Sequence, residues 1–194
     1  MPFLPTSAEL QHGFRRLYDE SGALKNEAYW KEGKLLSEDI YFDNKIITHK
    51  NYAINTGKLD VEINYKNGKR HGLSKRYFGN GNLNEEEYSV DGLPNGVWKH
   101  YYYNSGKLEA VGENKNAVEN GAGIRYWENG NIMQKWFWYN AFENGWFKDY
   151  YKNGNLEQEY ERKNGEIVNL KRYDESGKLV DHPIKEEEVT PEKR

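Results

Sequence analysis

The sequence predicts an all-β protein: an elongated, single-layer antiparallel sheet of tandem β-hairpins, about seven copies of a 24-residue unit. Three observations predict it. First, Gly22, Gly57, Gly81, Gly106, Gly130, Gly154 and Gly177 share one neighbourhood, a small polar residue directly before and an aliphatic residue two places after. They lie 35, 24, 25, 24, 24 and 23 residues apart, and self-similarity at such a period marks a repeat architecture whose units stack on one another. Second, another turn signal falls eleven residues on, at Gly33, Gly68, Gly92 and Gly165, with Ala117 and Ala141 in two copies. Two turns per unit leave segments of roughly seven residues, which is strand length and too short for helices. Third, 16 Tyr, 6 Trp and 7 Phe supply much of the apolar inventory. Flat amphipathic rings suit a thin sheet, because they bury a face and keep a polar tip wet.

The main turn is specified by the residue before its glycine: Ser21, Thr56, Asn80, Ser105, Asn129, Asn153 or Ser176. A two-residue type I′ turn needs positive φ at both central positions, which Ser and Thr adopt poorly. A three-residue loop, a type I turn followed by one left-handed residue, asks it of the glycine alone. That loop sets Tyr18, Tyr77, Tyr102, Tyr126, Tyr150 and Tyr173, four before their glycines, opposite the aliphatic residue two after. Such cross-strand pairs contribute about 0.2–1 kcal/mol each. The Gly57 copy departs, with Ala53 in that place and Tyr52 one earlier. A third glycine follows fifteen after the first, at Gly72, Gly96, Gly121 and Gly145.

In chain order, residues 1–13 carry no repeat and are expected to cover the first strand edge, with Thr6 or Ser7 capping a short turn. Residues 14–180 form the repeat domain. Its period stumbles after Gly33, where Asp43-Asn44-Lys45 reads as an added turn; an extra strand at 34–50 is expected, with irregularity or a bend. Lys75, Arg76, Lys99, His100, Arg125 and Lys148 read as a solvated face opposite the aromatic positions. Alanine in the left-handed region costs roughly 1 kcal/mol or more, so the loops at Ala117 and Ala141 are expected to change type. Residues 181–194 are charged, with Pro183 and Pro191, and read as a disordered tail.

Repeats four and five concentrate the aromatic residues. Tyr126, Trp127, Trp136, Trp138, Trp146 and Tyr150 are the candidate partner-binding residues. Alternation puts Trp136 and Trp138 on one face and Phe137 on the other. A single layer cannot hide so many rings on both faces, so either the ribbon curls over them or a partner covers them.

No chemistry-bearing constellation accompanies them. The five histidines are scattered without metal-ligand spacing, and no nucleophile elbow or phosphate loop occurs. Glu62, Glu86 and Glu159 recur five residues after their glycines, and repetition across copies argues for a structural role. No catalytic residue, metal or cofactor is expected. A formal charge of −3 argues against nucleic acid and anionic lipid as partners, and the absence of Cys excludes disulfide and thiolate chemistry. No stretch approaches a membrane span, and Met1-Pro2-Phe3-Leu4-Pro5 lacks the features of a leader. A cytoplasmic location is expected, or a secreted or surface one if a signal was removed.

The string Tyr150-Tyr151-Lys152-Asn153-Gly154-Asn155-Leu156, with Tyr65-Lys66-Asn67-Gly68-Lys69-Arg70-His71-Gly72 as a second half, resembles the bacterial variant of the MORN repeat. The resemblance spans about residues 14–180 and is best around Gly81, Gly106, Gly130 and Gly154; 34–56, Ala117 and Ala141 depart from it. It implies a twisted ribbon of hairpins with a groove, and roles in protein binding, scaffolding or lipid association. Many such proteins are similar to the YwqK-family antitoxins, which neutralise a cognate toxin. The expected function is therefore a non-catalytic protein-binding repeat of antitoxin or immunity type, with self-association through the ribbon ends also open. The alternatives are a carbohydrate- or cell-wall-binding module, since Gly-aromatic repeats also build glucan-binding solenoids, and a lipid-associated scaffold.

Overall fold

The computed structural model describes residues 12–140 and 144–181. The expected edge-covering segment (its first eleven residues), the tail from residue 182, and the turn at Ala141 lie outside them. The described residues are antiparallel strands joined by turns, with no helix among them. The chain divides into two compact units at Gly106/Lys107.

The first unit contains β1 (Gly13–Tyr18), β2 (Leu24–Lys31), β3 (Lys34–Phe42), β4 (Lys45–Tyr52), β5 (Leu59–Lys66), β6 (Lys69–Arg70), β7 (Gly72–Tyr77), β8 (Leu83–Val90) and β9 (Leu93–Tyr101). Each pairs with its successor, except that β5 pairs with both β6 and β7. The second unit contains β10 (Leu108–Lys115), β11 (Val118–Glu119), β12 (Gly121–Tyr126), β13 (Ile132–Asn140), β14 (Asn144–Tyr150), β15 (Leu156–Lys163), β16 (Glu166–Tyr173) and β17 (Leu179–Asp181). There β10 pairs with both β11 and β12, and the meander continues to β17.

The main turns are the three-residue loops that the residue pattern demands. At Gly81 the glycine N–H donates to Phe78 O at 2.8 Å and Phe78 N–H to Asn82 O at 2.8 Å, with φ of 95° at the glycine. Gly22, Gly130, Gly154 and Gly177 repeat that pattern. The register then sets Tyr18 opposite Leu24, Tyr77 opposite Leu83, Tyr126 opposite Ile132, Tyr150 opposite Leu156 and Tyr173 opposite Leu179. Two copies carry one more loop residue. Gly57 N–H reaches Ala53 O at 2.7 Å, and Gly106 N–H reaches Tyr102 O at 2.9 Å. The Gly106 copy therefore departs in the same way as the Gly57 copy: Tyr102 belongs to the loop and Tyr101 ends the strand.

Successive main turns are tied together by residues flanking the glycine. Asn80 Oδ1 accepts from Asn82 N at 2.9 Å, while Asn80 Nδ2 donates to Tyr103 O of the next turn at 2.6 Å. Asn131 Nδ2 reaches Lys152 O at 2.7 Å and Asn155 Nδ2 reaches Glu175 O at 2.7 Å. Where Lys replaces Asn after the glycine, its ammonium spans the same gap: Lys58 to Asn80 O, and Lys107 to Glu128 O at 3.0 Å. Asp19 and Asp174 do the internal part of this work in the end copies, accepting from Ser21 N and Ser176 N at 2.9 and 3.0 Å.

The tight turns are two-residue turns with positive φ at both positions, as at Asn67 (53°) and Gly68 (76°). The change of type expected at Ala117 does not occur: Asn116 has φ 52° and Ala117 has φ 67°, so the hairpin holds an alanine in the left-handed region. The third glycine sits at a bulge, where the β5 register changes between the Tyr65↔Arg70 and Glu62↔Lys75 pairs and Gly72 takes φ 90°. Asn169, with φ 53°, occupies the equivalent place in the Gly154 copy.

The extra strand is present, but the irregularity expected across 34–50 reduces to two register shifts, one that skips Leu36 against β2 and one between Ile40 and Tyr41 against β4. Asp43 (φ 50°) and Asn44 (φ 54°) close an ordinary β3–β4 hairpin. Because one strand is added, the Glu32–Gly33 tight turn shares a rim with the later main turns. Lys34 Nζ accordingly reaches Ile54 O at 3.0 Å, as Lys58 does to its own neighbour.

Candidate functional site

Pairing register assigns the paired strand residues of the aromatic region to faces. In the second unit one face carries Gly123, Trp136, Phe147 and Tyr160 in successive cross-strand positions, with Trp138 beside Gly145. This face is the unit's core. Trp136 is 7% and Trp138 8% exposed, and Phe147 is buried between them and Tyr160. Phe147 packs edge-on against Trp138 at 4.7 Å and stacks on Tyr160 at 4.9 Å, with the Arg162 guanidinium 5.9 Å from its ring centre. The Trp136 indole lies where a Cβ on Gly123 would stand, which explains a glycine inside a strand. Its Nε1–H donates to Glu119 Oε1 at 2.8 Å, satisfying the polar edge of a buried ring. On Gly145 a Cβ would meet Phe137 O at 2.5 Å.

The opposite face carries Phe137, Tyr139 and Trp146, which are 36%, 48% and 42% exposed. Phe137 and Trp146 are cross-strand partners whose rings stack at 6.3 Å with 11° between planes. Tyr139 donates its hydroxyl to Glu161 Oε1 at 3.0 Å. That bond leads the interactions that hold the Glu161 carboxyl below the usual carboxylate range. The result is an exposed aromatic patch, with one acidic group at its margin, seated on three paired strands.

The six candidate residues therefore separate. Trp136 and Trp138 form core, and Trp146 is exposed beside Phe137 and Tyr139, which the candidate set did not include. Trp127 is half-buried and ties two turns, donating Nε1–H to Tyr150 O at 3.1 Å under the Lys152 ammonium at 5.3 Å from its ring centre. Tyr126 and Tyr150 are half-buried at the strand ends, and the Lys135 ammonium lies 5.9 Å from the Tyr150 ring centre. The alternation separating Trp136 and Trp138 from Phe137 is as expected. Which face turns inward depends on the glycines at 123 and 145, which make room for indoles on one side only.

The basic residues expected on one face occupy both, because sequence neighbours in a strand point to opposite sides. Register pairs Lys75 with Glu86 but Arg76 with Glu85. Lys75, Lys99 and Lys148 belong to a ladder of alternating charge. In the first unit it runs Glu38, Lys50, Glu62, Lys75, Glu86, Lys99 across successive strands. In the second, Glu159 sits between Lys148 at 3.1 Å and Lys171 at 3.2 Å and accepts from Tyr173 Oη at 3.0 Å. Partial burial opposes its charged form, but those three donors outweigh it and hold the carboxyl below the ordinary range. Glu86 accepts from Tyr101 Oη at 2.8 Å; burial, then that bond to a carboxylate, push the Tyr101 phenol up to about 12. The recurrent glutamates thus hold strands together. Among the described residues no group of three acidic or histidine side chains is placed to hold a metal ion, and no helix is long and apolar enough to cross a membrane.

Residues 70–91, 119–140 and 142–164 match the family model described as MORN repeat variant. No curated protein matches the chain. Among solved structures the chain is similar to an S. aureus TarM mutant crystallised in complex with fondaparinux, α-GlcNAc-glycerol and UDP. The identity is 14% over 60% of this chain and 20% of that one, with a TM-score of 0.25. The chain thus spans about a fifth of that protein's length, and a likeness of this order carries no functional argument.

Proposed function

We propose that this MORN-repeat chain is a non-catalytic protein-binding module of the antitoxin or immunity kind, acting in the cytoplasm by occluding a toxin domain. Repeats of this class commonly serve as binding modules. The observation that carries the reading is the exposed patch of Phe137, Tyr139 and Trp146. Rigid aromatic side chains held on paired strands are the anchors from which protein interfaces draw most of their affinity. The Phe137–Trp146 stack restrains both rings before a partner arrives, so little rotamer entropy remains to be lost on association. The carboxylates that repeat along the chain are engaged in cross-strand bonds, which supports a structural use of them over a catalytic one. Among the described residues, lysines set against glutamates likewise break up the cationic face that lipid or nucleic acid would need.

The test is calorimetric titration of the full chain against toxin candidates encoded beside it, with toxin activity measured in parallel. The expected result is stoichiometric binding that suppresses toxicity and weakens about tenfold or more, roughly 1.4 kcal/mol, in Trp146→Ala. Binding unaffected by both Trp146→Ala and Phe137→Ala, or no binding by any candidate, overturns the proposal.

A further inference from the structure

We infer that a cleft of about 810 Å³ in the first unit, far along the chain from the aromatic patch, binds a neutral polyhydroxylated ligand of mono- or disaccharide size. On one rim the Asp43–Asn44 turn lies next to the Asn67–Gly68 turn, and the space between these two hairpins is the cleft. The next pair of tight turns on that rim is closed: Gly92 N–H donates to Arg70 O at 2.9 Å and Asp91 N–H reaches His71 Nδ1 at 3.5 Å. No equivalent bond joins the first pair among the described residues.

The lining has the chemistry of sugar recognition. Tyr41, Tyr65 and Ile46 present apolar surface on which the C–H face of a pyranose can stack. Around them stand the Asn44 and Asn67 amides and the two phenol hydroxyls, none with a hydrogen-bond partner among the described residues. Each of these groups both donates and accepts, as a ligand hydroxyl does. His49 Nδ1 is bonded to Asp39 Oδ1 at 2.6 Å. With Nδ1 as the donor, Nε2 is left as a further acceptor on a residue of the lining. Charge argues against ionic ligands, since Asp39 and Lys45 oppose one another and Asp39 is already engaged by His49. The volume lies within the range of about 300–1,000 Å³ usual for small-molecule sites.

The experiment is a ¹⁵N-correlation NMR titration of the full chain with D-glucose, N-acetyl-D-glucosamine and maltose. Sodium acetate and tetramethylammonium chloride serve as charged probes. Asn67→Gly removes an amide while keeping a residue suited to the observed φ of 53°, and an otherwise unchanged spectrum certifies its fold. The expected result is saturable shifts at residues 39–68 with at least one sugar, weakened about tenfold or more in Asn67→Gly and in Tyr65→Ala and unaltered in Trp146→Ala. That last arm separates this site from the protein-binding patch. No saturable shift with any of the three sugars, equal or larger shifts with either charged probe, or unchanged affinity in Asn67→Gly overturns the inference.

Discussion

At the scale of single residues, the turns show what a repeat tolerates. Ala117 keeps the two-residue turn at φ 67° where other copies use glycine, because the strands on either side dictate the geometry and the alanine complies. A left-handed non-glycine residue costs about 1–2 kcal/mol, offset in part by the greater unfolded-state freedom of glycine. Ala117→Gly is therefore expected to stabilise the protein by about 0.5–1 kcal/mol, read as a higher urea midpoint with unchanged slope. A lower midpoint would mean that the alanine methyl makes contacts worth more than the strain. The sequence showed that alanine was out of place, since in the left-handed region Ala carries a steric cost that Gly does not. It did not show that the turn would persist, because strand pairing on both sides decides that. Asn169 escaped notice for a related reason: asparagine at φ 53° fills a bulge position that three other copies give to a positive-φ glycine, at Gly72, Gly96 and Gly121.

At the scale of strands, cohesion passes through two sets of cross-links, the amide and ammonium bridges between neighbouring main turns and the alternating ladder of Glu and Lys. Exposed ion pairs are worth little singly, but Glu159 collects two ammonium groups and a phenol at once. Its folded-state pKa is depressed, so the stability it contributes is present above the unfolded value, near pH ~4.3, and is lost as pH falls through the folded value. Urea unfolding followed from neutrality into that acid window should show the wild type losing part of its stability. Glu159→Gln, less stable at neutral pH, should lose less over the same interval. Parallel pH profiles for the two proteins would remove Glu159 from the acid response. The five-residue offset of these glutamates was visible in the sequence. Their partners were not, because pairing Glu86 with Lys75 and not with Arg76 requires the register, and the loop with an extra residue at Gly106 displaces that register by one.

At the scale of the whole chain, the hairpin architecture and most of its corners were legible, since a period of glycines is a statement about backbone conformation that any packing must respect. The division of the aromatic residues was only half legible. Alternation says which rings share a side, whereas the inward side is set by what the facing strand leaves vacant, here Gly123 and Gly145. Trp136→Ala should accordingly lower stability by about 3–5 kcal/mol in urea unfolding, while Trp146→Ala should stay within about 0.5 kcal/mol of wild type and reduce tryptophan quenching by acrylamide. Equal losses for the two variants would contradict the assignment of faces. The extra strand of the first unit has a last consequence. An up-down chain alternates direction with every strand, so a gain of one reverses the parity of all that follows: the Gly22 corner points away from those at Gly57, Gly81 and Gly106, and its even-numbered offsets look out on the other side. Lineages that grow by copying whole modules never meet this inversion; one that gains half a module inherits a molecule whose front and back trade places at the seam.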